Sequence, residues 1–375
     1  MSDNFSSEHI TEELSAAGVA IEPTVQRAIS DSYTISLTGD LREDRVRCDG
    51  YSKTEDRAIT IIKLTLSGSH VEATAVFDGH GGTSKISAFA AARMRRYFLE
   101  NDLEDDSAEC ITEFLTVLDR ILVEECYALS RQLRRGGTTG NITITTSDRR
   151  VYNINRGDSR IVIYNAENGD LLFESVDQDV ENYQKVHGPG SAPPGAIITP
   201  NNIYFESEIS GTTLMMFDSY GDPDADFIDR DTEVVVTTFQ IPDNTTTVII
   251  HTTDGLYEIW KLEFVKNRFN QYKGSGAFRG FVEERNGSIQ RLIVGLYNAG
   301  QISSLKDYLI PDQIDHTCSL YREYLDSLDP NDRAEIERIG YGVDRVAREF
   351  PTKFDNHDII VKIIFPQPGN RSVSL

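Results

Sequence analysis

Asp78, Gly79 and His80 stand together in the run Val76-Phe77-Asp78-Gly79-His80-Gly81-Gly82, an acid and a histidine among three glycines. A carboxylate and a glycine carbonyl are hard oxygen donors of the kind that hold divalent cations. An imidazole beside them can take or give a proton near neutral pH. Glycine at such a corner lets the chain turn sharply and lets a ligand approach the main chain. Acidic turns recur at Thr54-Glu55-Asp56-Arg57, Gly157-Asp158-Ser159-Arg160, Thr253-Asp254-Gly255 and Phe354-Asp355-Asn356, with a further acidic pair at Glu43-Asp44. Taken singly, each is an ordinary solvated turn or helix N-cap. Several apolar strands each flanked by Asp are a less ordinary pattern. Oxygen-only ligation selects Mg²⁺ or Mn²⁺, and no stretch offers the Cys or paired-His ligation that zinc prefers.

Alternating apolar residues predict a strand at 58–66, a turn at 67–69 and a returning strand at 71–77. If Leu66 pairs near His70, Asp78 lies across from Ala58 and Asp56 across from His80. Asp56 then projects from the same end of the hairpin as Asp78, close enough for one ion to bridge them; Asp44 is not brought into register. Helices are expected at 84–100 and 111–133, the second with Leu115, Leu118, Leu122 and Cys126 as a core stripe. The period then changes to two. Strands at 141–145, 151–154, 160–164 and 171–175 read as an antiparallel meander. Shorter strands follow at 196–205, 212–217, 234–239 and 247–252. Helical segments at 256–269, 288–298, 314–328 and 331–350 precede a final strand at 358–365. A strand at 33–37 and a short helix at 8–17 complete the pattern.

A final strand that far down the chain must find a sheet already built, which favours one domain at 31–365. Residues 1–30 are an N-terminal extension and 366–375 a polar tail. The fold class is α+β, antiparallel sheets with helices outside.

The chain has 375 residues, 39% hydrophobic and 26% charged, with a formal net charge of −23. Its bulk surface repels nucleic acid and anionic membranes, so it handles phosphate only where bound cations reverse the local sign. The four cysteines make no CxxC pair and read as free thiols of a reducing compartment. No basic-then-apolar leader opens the chain and no apolar run approaches the ~18 residues of a membrane span. A cytoplasmic or nuclear location and a monomer are expected, without nucleic-acid or membrane partners.

With Gly137-Thr138-Thr139 added, these motifs stand in the order of the PPM/PP2C family of metal-dependent serine/threonine protein phosphatases, which the chain resembles from about residue 31 to 365. The resemblance implies a four-layer α-β-β-α sandwich, two antiparallel sheets flanked by helices. It implies two Mg²⁺ or Mn²⁺ ions at one edge, held by Asp56, Asp78, the Gly79 carbonyl, Asp254 and Asp355. Asp158 and Glu258, with Asp254, match positions that hold a weaker third ion. A metal-bridging hydroxide would attack phosphorus in line, and His80 would protonate the leaving alkoxide of a phosphoserine or phosphothreonine in a phosphoprotein substrate.

The chain also departs from the family. Tyr51 stands where relatives carry a phosphate-binding Arg, leaving Lys53, Arg57 and Arg42 as basic candidates. The family's strand-end Asp-His is Asp177-Gln178. The segment Phe217-Asp218-Ser219-Tyr220-Gly221-Asp222 lacks the family's Arg. These changes bear on substrate binding more than on metals. They leave a second reading, a pseudophosphatase acting as a binding or regulatory module. A calcium-binding structural protein is the weakest alternative, since no EF-hand loop is present.

Overall fold

The computed structural model describes residues 32–39, 56–81, 85–199, 204–231, 233–253, 277–305, 308–309, 326, 329–331, 333–334 and 357–366. The first half contains β1 (Ser32–Gly39), β2 (Arg57–Leu64), β3 (His70–Phe77), β4 (Gly79–His80), α1 (Lys85–Glu100), α2 (Ala108–Leu133), β5 (Gly137–Thr138), β6 (Gly140–Thr146) and β7 (Arg150–Arg156). There follow β8 (Arg160–Asn165), β9 (Leu171–Glu174), α3 (Val180–His187), β10 (Ala196–Ile198), β11 (Phe205–Ser207) and β12 (Thr213–Leu214). The last elements are β13 (Tyr220–Gly221), β14 (Thr237–Gln240), β15 (Thr247–Thr252), α4 (Ala277–Asn298) and β16 (His357–Ile364).

Two five-stranded antiparallel sheets form the centre, ordered β14-β7-β6-β3-β2 and β1-β16-β15-β8-β9. Alternation decides which way each strand faces. On β3, Val71, Ala73, Ala75 and Phe77 turn to one side and pack with Ile86, Met94 and Phe98 of α1 and with Ile111, Leu115, Leu118 and Leu122 of α2. The other sheet packs Val162, Val248, Ile250, Ile359 and Val361 against Ile289 and Ile293 of α4. Between the sheets lies a smaller apolar cluster of Val151, Ile161, Ile163, Ile241 and Ile249. The layers are therefore helix, sheet, sheet, helix, as the resemblance implied.

α2 has ordinary causes. Ser107 caps it by accepting from the Cys110 amide at 3.3 Å, and Arg134 ends it in the left-handed conformation, φ 57°. Its stripe is fully buried at Leu115, Leu118, Leu122 and Cys126.

Three expectations change. The four-strand meander is split: β6 and β7 belong to one sheet, β8 and β9 to the other. Gly157, at φ 102°, turns the chain out of the first sheet and into the second, a conformation open to glycine. α3 was not anticipated. It is short, Val180 is its one fully buried residue, and its main local cause is Asp179, which caps by accepting from the Asn182 amide at 2.7 Å. The strands expected at 196–205 and 212–217 are instead a ladder of three short strands, Ala196–Ile198, Phe205–Ser207 and Thr213–Leu214. The helices expected at 8–17, 256–269, 314–328 and 331–350 lie wholly or almost wholly outside the described residues. Among those residues, no helix is long and apolar enough to cross a membrane.

Candidate active site

β2 and β3 pair from Arg57↔Phe77 to Leu64↔His70. The turn is thus longer than expected, residues 65–69, closed by the Thr65 amide donating to the Ser69 carbonyl at 2.8 Å. The expected register, Asp78 opposite Ala58, is off by two positions. A shift of two keeps every side chain on its face, and one further step along the observed ladder places Asp56 opposite Asp78. Asp56 is only 3% exposed. Its Oδ2 accepts from Thr253 Oγ1 at 2.9 Å, which ties the start of β2 to the end of β15.

β15 is aligned at that end with β16 and β8, through Thr252↔Ile359 and Thr252↔Arg160. The starts of β2, β8 and β16 and the end of β15 therefore meet at one edge, where Asp56 and Asp158 lie. Asp254, Asp355 and Glu258 lie outside the described residues, as do Lys53, Tyr51, Arg42 and Asp44.

The Asp78 corner is clamped by the Gly137-Thr138-Thr139 segment. The Asp78 carbonyl accepts from the Thr139 amide and from Thr138 Oγ1, both at 2.8 Å. The Asp78 amide donates to Thr139 Oγ1 at 3.3 Å, and that hydroxyl meets Ser159 Oγ at 2.6 Å. One threonine thus joins the Asp78 corner to the turn carrying Asp158, which is 4% exposed. Gln178 holds the same turn: its Oε1 accepts from the Gly157 amide at 2.7 Å and its Nε2 donates to the Asn155 carbonyl at 3.1 Å. The Gln178 departure therefore bears on the support of Asp158 rather than on substrate. Its neighbour Asp177 is ion-paired with Arg160. Burial pushes Asp177 up to about 8, with the Arg160 charge pulling the other way.

His80 lies on a small ladder, β13-β5-β4. Its Nε2 is 2.7 Å from Asp222 Oδ2. Asp222 was not singled out from the sequence. The usable signal was its place in Tyr220-Gly221-Asp222, one more acidic corner after a β-strand. Arg156 of β7 reaches this segment. Arg156 donates to both oxygens of Asp119, each at 2.8 Å, and to Asp218 at 2.8 and 2.9 Å. Tyr220 OH donates to Asp119 at 2.9 Å. Burial works against the Arg156 charge, but the Asp119 hydrogen bonds and the Asp218 charge outweigh it and hold the guanidinium above its ordinary value. Arg57, a phosphate candidate, is half-buried, and its Nη1 donates to the Asp56 carbonyl.

The donors at this edge are hard oxygens: Asp56 and Asp78, opposite each other if the ladder is continued one step, the Gly79 main chain and Asp158 on the turn that Thr139 joins to the Asp78 corner. That set fits Mg²⁺ or Mn²⁺ in kind. Among the described residues, no three His, Cys, Asp or Glu side chains cluster closely enough to hold an ion by themselves.

No family model and no curated protein matches the sequence. Solved structures do. A bacterial serine phosphatase superposes with a TM-score of 0.50 at 16% identity, covering 90% of this chain and 99% of its own. A serine/threonine phosphatase of S. agalactiae gives 0.49 at 12% identity over 89% and 99%, and a serine-threonine phosphatase 2C of Toxoplasma gondii 0.48 at 12% over 89% and 94%. The chain has the α+β sandwich fold of the PPM/PP2C-type phosphatases.

Proposed function

We propose that the chain is a metal-dependent phosphatase acting on phosphoserine and phosphothreonine in proteins, its phosphatase domain spanning residues 31–365. The observation that supports this is the β2–β3 register, which ends at Arg57↔Phe77 so that Asp56 and Asp78 follow one step beyond it, beside the corner where His80 contacts the buried Asp222.

In this reading Asp56, Asp78, the Gly79 carbonyl, Asp254 and Asp355 hold two Mg²⁺ or Mn²⁺ ions, and Asp158, Glu258 and Asp254 a weaker third. Such ions supply an acidified water and positive charge for the phosphoryl oxygens. Thr253 fixes one oxygen of Asp56, and Thr138 and Thr139 fix the Asp78 main chain, so these ligands are set before substrate arrives. Lys53 and Arg57 are the basic side chains assigned to phosphate. As the ester P–O bond breaks, His80 gives a proton to the departing serine or threonine oxygen. The protein works as a soluble monomer inside the cell.

Hydrolysis of p-nitrophenyl phosphate and a phosphothreonine peptide with Mn²⁺, with and without EDTA, tests this. The expected result is turnover that EDTA abolishes. Metal binding by calorimetry without turnover would overturn it in favour of the pseudophosphatase, which Tyr51 in place of an Arg favours.

A further inference from the structure

We propose that Asp222 is the positioning residue for His80, and that Gly137 and Arg230 keep it in place. This rests on the phosphatase reading, in which His80 is the proton donor. A carboxylate oxygen accepts, so the 2.7 Å contact with Asp222 Oδ2 puts the hydrogen on His80 Nε2. That leaves Nδ1, which is buried in the substrate-free protein, as the nitrogen for proton exchange, so the leaving group reaches it only once bound against the ring. An acid fixed on one imidazole nitrogen selects both tautomer and ring orientation, as in other His–carboxylate pairs.

Asp222 is held from every side. It is 5% exposed and adopts φ 49°, a left-handed conformation costly for a residue other than glycine and maintained only where surroundings over-determine it. Its amide donates to the Gly136 carbonyl at 3.2 Å. Its carboxylate accepts from Ser219 Oγ as well as facing His80. Arg230 Nη2 donates to the Asp222 carbonyl at 2.6 Å and to the Gly221 carbonyl at 3.1 Å. The Arg230 guanidinium lies 4.2 Å from the centre of the Tyr127 ring on α2. α2 thereby braces the corner from outside the site.

Gly137 explains why the carboxylate can reach the histidine. A Cβ at residue 137 would stand 2.0 Å from Asp222 Oδ2 and 2.7 Å from Oδ1. Its backbone φ is not positive, so the requirement is for space alone. A turn acid with a merely local role would spend its oxygens on its own main chain. Asp222 spends Oδ2 on Ser219 and on His80, 142 residues away in sequence.

The experiment compares wild type with Asp222→Asn, Gly137→Ala and Arg230→Lys on two substrates with Mn²⁺. Serine alkoxide needs a proton to leave; p-nitrophenolate does not. The expected result for Asp222→Asn and Gly137→Ala is a fall in kcat of about 100-fold or more on a phosphoserine peptide, the lower bound of a lost general acid, with little change in KM and a much smaller loss on p-nitrophenyl phosphate. Arg230→Lys falls between. Parallel losses on both substrates, or no loss on the peptide, overturn the proposal. A long-range ¹H–¹⁵N spectrum of the imidazoles in the metal-free full chain gives a readout independent of turnover and of variant folding. Wild-type His80 in the Nε2–H form is expected; the Nδ1–H form overturns the assignment. If the wild type hydrolyses neither substrate, the phosphatase reading falls, and the ring spectrum still decides whether Asp222 positions His80.

Discussion

The Lys362 ammonium of β16 lies 2.5 Å from the Glu72 carboxylate of β3, both nearly buried between the two sheets. The two strands belong to different sheets, so this pair is a polar bolt through the sandwich. Removing one partner strands the other charge in a dry setting. Lys362→Met is expected to cost about 3–5 kcal/mol, whereas Lys362→Met with Glu72→Leu recovers most of that loss. Urea unfolding of the three proteins checks it; additive losses in the double variant would sink the idea.

His251 of β15 shares this layer, with its Nδ1 3.3 Å from Thr74 Oγ1. Burial holds it down to about 3, against an ordinary 6.5. Its folded pKa is depressed, so the stability tied to the neutral ring is fully present above about 6.5. It is lost as pH falls from there towards 3, by up to about 1.4 kcal/mol per pH unit for one proton. Unfolding midpoints between pH 7 and pH 4 should fall more steeply for wild type than for His251→Leu. Equal slopes would mean that another group governs the acid limb.

The observed register, continued one step past Arg57↔Phe77, sets Asp56 opposite Asp78, and the sequence pattern assigns Asp56 rather than Asp44 to the ions. Asp56→Ala should abolish Mn²⁺-dependent turnover and weaken Mn²⁺ binding in calorimetry while the circular dichroism spectrum is retained. Asp44→Ala should do neither. The reverse outcome would show that the wrong acid was assigned to the ions.

Gly157 carries the crossover from β7 to the Asp158 turn at φ 102°, and a Cβ there would meet the Thr139 side chain at 2.6 Å. Gly157→Ala combines backbone strain with a clash against the residue that clamps Asp78. A loss of roughly 2 kcal/mol or more is expected, together with weaker Mn²⁺ binding, because Thr139 and Ser159 would part. Thermal melts with and without Mn²⁺ measure both; an unchanged Tm would contradict the crowding.

Much of this protein was legible along the chain. Period-two alternation named the core strands, and the leucine stripe of α2 named its buried face, because burial selects side chains at the local repeat of the backbone. The acids at the strand ends were visible for the same reason, since each sits where an apolar run stops. Even the mistaken hairpin register kept Asp56 and Asp78 on one side, because an even shift preserves facing. Alternation says nothing about which strand a neighbour will be. Only the folded molecule places β7 and β8 in different sheets, through one left-handed glycine. Only it brings Asp222 to His80 over the bare Cα of Gly137, and Arg156 to Asp119 and Asp218. Those pairings are set by packing between segments far apart in sequence, where no local repeat records the partner.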